Sequence, residues 1–335
     1  MKNMILYDNF CAALKDASDV ASNGYLQLLA PYIKDIESAL HADYCNKMTA
    51  IVKRKNFVLN GKLVAEFSQL FGEAHFAALC SKQGVSLNKI PEQKNTKTPD
   101  FCLFSSKEKL FFEVKTLSVV GGGRGINDDL LKALDAQIDI ERQLQEGRCV
   151  AIGVSEVQPY AEKPYLEGSI TAVIYTLIEK ARQNIKSDQY KNQNTFLVLN
   201  LCLIPPAITD NKTLRPVYCD DLMFSKAITG DLWMLAFAKP GMLVHGHPEF
   251  EGNPCIEGII QKFGVLSDPD YASISGLLCV VYPLGSKPCI YGLYRSSDYH
   301  EWIDEKPEVI NILKKLTGKN WNDDYDSNGW QLEFR

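Results

Sequence analysis

Residues 98–118 read Thr-Pro-Asp-Phe-Cys-Leu-Phe, then Ser-Ser-Lys-Glu-Lys, then Leu-Phe-Phe-Glu-Val-Lys-Thr-Leu-Ser. Two apolar runs bracket a polar pentapeptide, the pattern of a β-hairpin. With residues 105–109 as the turn, the strands run antiparallel about a centre near Lys107. This sets Phe101 opposite Glu113 and Pro99 opposite Lys115, with Asp100 between those partners. Residues two apart on a strand face the same side, so Glu113 and Lys115 point together while Val114 points into the other layer. Two carboxylates and an ammonium are therefore expected to converge at one strand end, at a sheet edge.

That grouping has a chemical use. Two close carboxylates on rigid strands make a hard, oxygen-rich site suited to Mg²⁺, which keeps several waters and also binds substrate phosphate. A neighbouring Lys can orient or deprotonate an attacking water and offset phosphate charge. The chemistry this equips is phosphodiester hydrolysis.

The series Pro99-Asp100, 12 intervening residues, then Glu113-Val114-Lys115 resembles the signature of the PD-(D/E)XK nuclease superfamily. The resemblance covers about residues 61–157, with an extension to about 205. It implies an α/β fold of the restriction-endonuclease-like type, a mixed central sheet flanked by helices. It also implies Mg²⁺ as the metal, with Mn²⁺ able to substitute, Asp100 and Glu113 as its ligands and Lys115 positioning the water. In that superfamily an acidic residue from the helix before the hairpin often completes the metal site. Gly72-Glu73-Ala74, Ala77-Ala78-Leu79 and Gly84 resemble that helix best, which makes Glu73 the expected third acid and Glu66 the alternate. A glutamine on the helix after the hairpin often lies near the catalytic Lys, and Gln137 fits that place.

The helix carrying those acids is expected over residues 61–83, with Leu63, Phe67, Leu70, Phe71, Ala74 and Ala78 as one apolar stripe. Glu66 and Glu73 are seven residues apart, so they project almost in line but about 10 Å apart along the axis. Only one of them can reach a given metal.

Three regions are expected: a helical region over 1–58, the nuclease-like core over 59–205, and a C-terminal α+β extension over 206–335. Helical spacing runs through Tyr25, Leu28, Leu29, Tyr32, Ile33 and Ile36, and Lys53-Arg54-Lys55 follows as a connector able to contact a phosphate backbone. The loop Gly121-Gly122-Gly123-Arg124-Gly125 lacks the ending of a P-loop and reads as a mobile loop beside the site, with Arg124 a DNA contact. Asn127 and Gly147 suit the two ends of the next helix. A buried strand is expected over 149–155, a helix over 169–187 and a strand over 195–203. Beyond these, a strand is expected over 233–237, a hairpin from 273–283 with 289–295, and a helix over 307–317.

The chain of 335 residues is 46% hydrophobic and 23% charged, the balance of a soluble globular protein. No apolar run nears the roughly 20 residues that span a bilayer, and no basic segment followed by an apolar one opens the chain, so the expected setting is the cytoplasm, with no membrane partner. None of the 10 cysteines falls in a Cys-x-x-Cys pair, which argues against a zinc site or a disulfide framework. The net charge of −5 is unlike that of a protein that coats nucleic acid, yet it leaves room for a local basic groove. His245-Gly246-His247 lacks a third metal ligand at a recognisable spacing, and both histidines read as exposed loop residues. His75 reads as structural.

These readings lead to a Mg²⁺-dependent nuclease acting on DNA, with RNA left open, in defence against foreign DNA or in repair, and able to form a homodimer. A nucleic-acid-binding or assembly protein that keeps the fold without turnover is the alternative. A third possibility is a different α/β enzyme using His245 and His247.

Overall fold

Leu6, Phe10 and Leu14 recur every fourth residue and are buried, forming the inner face of helix α1 (Ile5–Lys15). They pack in a helical unit with α2 (Ala30–Ala39), α3 (Ala42–Val52) and most of α4 (Gly61–Lys82). Phe10 stacks on Phe67 with ring centroids 5.3 Å apart, and Phe57 meets the same ring edge-on at 5.4 Å. The free N–H groups at the start of α1 are met by Glu37 of α2, whose carboxylate accepts from Leu6 N at 2.8 Å and Tyr7 N at 3.1 Å. Asn60 caps α4 by accepting from Lys62 N and Leu63 N, and Gly84, at φ +71°, turns the chain away after it. His75 is buried and stacks on Phe71 at 5.2 Å, as a structural residue should. This computed structural model describes the chain apart from residues 1–4, 16–25, 92–97, 118–134, 154–169, 203–216, 246–255 and 323–335, together with positions 28, 40–41, 106, 137, 193, 222–223 and 284–285.

The chain divides into two compact units, Met1–Ala78 with Ser118–Pro159, and Leu79–Leu117 with Tyr160–Arg335. The second holds a six-stranded mixed sheet built from β1 (Asn88–Lys89), β2 (Phe101–Phe104), β3 (Lys109–Thr116), β4 (Thr195–Asn200), β9 (Gly276–Val281) and β10 (Cys289–Leu293), in that order. Between β4 and β9 come two separate two-stranded ribbons, β5 (Val217–Asp221) with β6 (Phe224–Ile228), and β7 (Leu243–His245) with β8 (Ile256–Ile259). Neighbours pair antiparallel from β1 to β3, parallel from β3 through β4 to β9, and antiparallel again at β10. The fold is thus mixed α/β. All six residues of β4 and all six of β9 are buried, as central strands covered on both faces require.

Register assigns the two faces. Leu197, Leu277, Leu199, Cys279, Tyr291 and Leu293 join one core with α5 (Ile170–Asn184) and α6 (Asp231–Phe237). On the other face Phe112 stacks on Phe196, which meets Trp302 of α7 (Ser296–Asp304), and α8 (Pro307–Thr317) follows as expected. Glu113 pairs with Leu197 and Lys115 with Leu199, so both project on the α5 and α6 side while Val114 projects on the other.

Several sequence expectations are corrected. The hairpin forms, but Phe101 faces Phe112 and Phe104 faces Lys109, one residue off the expected register. The turn is shorter than a pentapeptide: Ser105 N–H bonds Glu108 O at 2.9 Å, and Lys109 already belongs to β3. β3 is third of six strands, inside the sheet and not at its edge. The expected strand 233–237 is helical, in α6, where seven consecutive residues are buried. An apolar run with no polar alternation carries no period to tell strand from helix. The strand expected over 149–155 is absent from 149–153, where Val150 and Ile152 are 72% and 71% exposed. There the Gln143 side chain takes the Ile152 backbone N–H and C=O, at 3.3 and 3.0 Å, in place of a neighbouring strand. Gly147, at φ +86°, does end the helix before it. Arg124, the glycine loop, Gln137 and His247 lie outside the described residues.

Candidate metal-binding site

The strand pairing of β2 with β3 stops at Phe101, and the next residue takes over with its side chain. Asp100 Oδ2 accepts the Val114 N–H at 2.9 Å, so a carboxylate occupies the place in the hydrogen-bond ladder that a further β2 residue would fill. The observed register, carried one step past the strand, sets Asp100 level with Glu113. Its other oxygen meets Lys89 Nζ of β1 at 3.3 Å, while its backbone oxygen accepts from Ile90 N at 2.9 Å.

Glu113 is 1% exposed. Its Oε1 is ion-paired with Lys115 Nζ, two residues on along the same face, and also accepts from Gln189 Nε2. Gln189 sits in the 3-10 turn Ser187–Tyr190 that leads into β4. Because β4 runs parallel beside β3, the turn before β4 reaches the Glu113 face. Burial and then the nearby Asp100 charge push the Glu113 carboxyl up to about 7, against the opposing pull of Lys115 and Gln189. The Tyr190 hydroxyl is held well above its ordinary value by burial and by the same two carboxylates, and so keeps its proton.

Asp100, Glu113 and Lys115 are therefore gathered as the sequence suggests, with Lys89, Gln189 and Tyr190 added. Only the topology could reveal these three: Gln189 lies 76 positions from Glu113 and carries no local pattern. Glu73, the expected third acid, belongs to the helical unit, where it accepts the Tyr44 hydroxyl at 2.7 Å. The alternate Glu66 pairs with Arg54 at 3.0 Å, so the basic run before α4 is partly neutralised locally. Among the described residues no three His, Cys, Asp or Glu side chains form a metal-holding group, and the carboxylates gathered in the second unit are two.

The donor set nonetheless fits a hard cation. Glu113 Oε2 is buried with no hydrogen-bond partner among the described residues, a costly arrangement for a carboxylate oxygen unless something positive meets it. With Asp100 it offers oxygen ligands of the kind Mg²⁺ takes. His245 ends β7, in a different sheet.

No protein-family model, curated protein or solved structure matches the chain. Among the described residues no helix is long and apolar enough to cross a membrane.

Proposed function

We propose that the protein is a divalent-metal-dependent nuclease of the restriction-endonuclease-like class, hydrolysing phosphodiester bonds in DNA. One observation carries the reading: a buried carboxylate, Glu113, with an unmet oxygen, shares a strand face with Lys115 and lies level with Asp100. Asp100 and Glu113 would hold Mg²⁺, or Mn²⁺ in its place. When bound, such an ion supplies charge for the phosphoryl oxygens and makes a water more acidic. The Lys115 side chain, 18% exposed against 2% for that of Glu113, holds its ammonium on Glu113 Oε1, and from there it would orient the attacking water and offset phosphate charge. Lys89 fixes the Asp100 carboxylate from β1. The deciding test incubates the purified protein with linear, circular and single-stranded DNA, and with RNA, each with and without Mg²⁺. Metal-dependent cleavage is expected with wild type, and its absence from every substrate would leave the reading without support.

A second reading, a nucleic-acid-binding or assembly protein without turnover, is favoured by the near-complete burial of Glu113. It predicts metal-independent binding and no cleavage.

A further inference from the structure

At the buried end of this site two acceptor oxygens are left without a partner among the described residues. Gln189 is 8% exposed and gives an Nε2 hydrogen to Glu113 Oε1, yet its own Oε1 has no hydrogen-bond partner among the described residues, and neither has Glu113 Oε2. With Glu113 ionised, as at pH 8, an amide oxygen and a carboxylate oxygen carry no hydrogen, so neither can satisfy the other. Tyr190, 1% exposed and next along the chain, also has an unpartnered hydroxyl. That hydroxyl donates one hydrogen, so one of the two oxygens stays unmet whichever way it turns. The turn bearing these groups is fixed by the Gln189 N–H bond to Lys186 O at 2.9 Å. A single cation reached by both oxygens would meet them together, and hard divalent ions take amide oxygens as well as carboxylates.

We infer that Gln189 supplies its amide oxygen, together with the unmet oxygen of Glu113, to the divalent cation of this site. The turn before β4 then becomes a third source of protein ligands, beside β3 and the residue preceding β2. The inference rests on reading Asp100 and Glu113 as a metal centre. The hydrogen bond from Gln189 Nε2 to Glu113 ties the two side chains together, so the site is assembled before the ion arrives.

The test is titration of Mg²⁺ by calorimetry, and of Mn²⁺ by the paramagnetic resonance signal of the free ion. Metal-stripped wild type, Gln189→Leu and Gln189→Glu are compared at pH 8, without nucleic acid. Gln189→Leu is expected to bind at least about tenfold more weakly, the loss that even an outer partner of a metal ligand can cause. Gln189→Glu keeps the oxygen, gains charge and loses the N–H donor, so it is expected to bind at least as tightly as wild type. If Gln189 only positions Glu113 as a hydrogen-bond donor, both variants weaken together, which overturns the inference. Equal affinity in all three proteins overturns it too, while leaving the nuclease reading intact. Wild type that binds neither ion overturns both. Should Gln189→Leu fail to fold by circular dichroism, the direction of the Gln189→Glu shift decides alone.

Discussion

Lys115 and Glu113 depend on each other, and this shapes what their variants should show. Lys115→Ala is expected to lower cleavage by about 10² to 10⁴, the usual range for a group that handles the proton of an attacking water. It also removes the cation that steadies a buried carboxylate. Below about pH 6 Glu113 can take up a proton instead, so there the variant should lose no more than about 1 kcal/mol in urea unfolding, with larger losses at pH 8. Cleavage unchanged by this substitution would turn attention to the non-hydrolytic reading. A proton on Glu113 also competes with any metal. With the group titrating at about 7, the apparent Kd for Mg²⁺ should rise by about tenfold between pH 8 and pH 6. Glu113→Gln should abolish that pH dependence along with most of the affinity, as calorimetry at the two pH values would show. The acid, acid and lysine were legible in the sequence because they sit on one hairpin. Gln189, Tyr190 and Lys89 were not, since their places at the site come from strand order.

At the level of the element, a hydroxyl reinforces the backbone bond that closes the hairpin turn. Ser105 Oγ accepts from Glu108 N at 3.2 Å and bonds the Glu308 carboxylate at the start of α8. Ser105→Ala is expected to cost about 1–2 kcal/mol in chemical unfolding, because a partly buried carboxylate and the Glu108 N–H each lose a hydrogen bond; a change within error would show that the turn holds without it. α4, β3 and α8 were readable because each carries either a helical period or a run bounded by turn residues. α6 was not, because its sequence of seven buried residues is apolar on every side, and tertiary packing chose the helix. The hairpin register was off by one because the polar stretch 105–109 marks a turn without fixing its length. That single step decides whether Asp100 lies level with Glu113 or with Val114.

For the whole molecule, buried Asp231 adds a pH response to that of Glu113. Asp231 is buried at the start of α6, and burial pushes its carboxyl up from 3.8 to about 7 despite the Leu232 N–H that it accepts. Between those values the folded chain holds a proton that the unfolded chain has released. Stability contributed at this position is therefore complete below about pH 4 and is lost as pH rises towards 7. Asp231→Asn keeps an acceptor and cannot ionise, so its stability relative to wild type should increase from pH 4 to pH 8 by the order of a few kcal/mol. Parallel urea titrations across that range would check the sign, and a flat difference would mean that the carboxyl is solvated. With a net charge of −5, the proposed action on DNA would rest on local cations. Affinity for a short duplex, measured with Ca²⁺ in place of Mg²⁺, should fall at least about tenfold between 50 and 200 mM salt, as two neutralised phosphates suffice to produce. Salt-independent affinity would remove nucleic acid as the partner. The bond from Asp100 to the Val114 N–H has one more implication, for how such a protein could change through descent. An acid that only bound metal could be discarded freely once activity was no longer selected. Here its loss also strands a backbone donor inside the sheet, so drift toward an inactive descendant meets its least resistance at Asn, which keeps the oxygen. A motif that had decayed would then advertise its history as Pro-Asn followed by an intact Glu-Val-Lys.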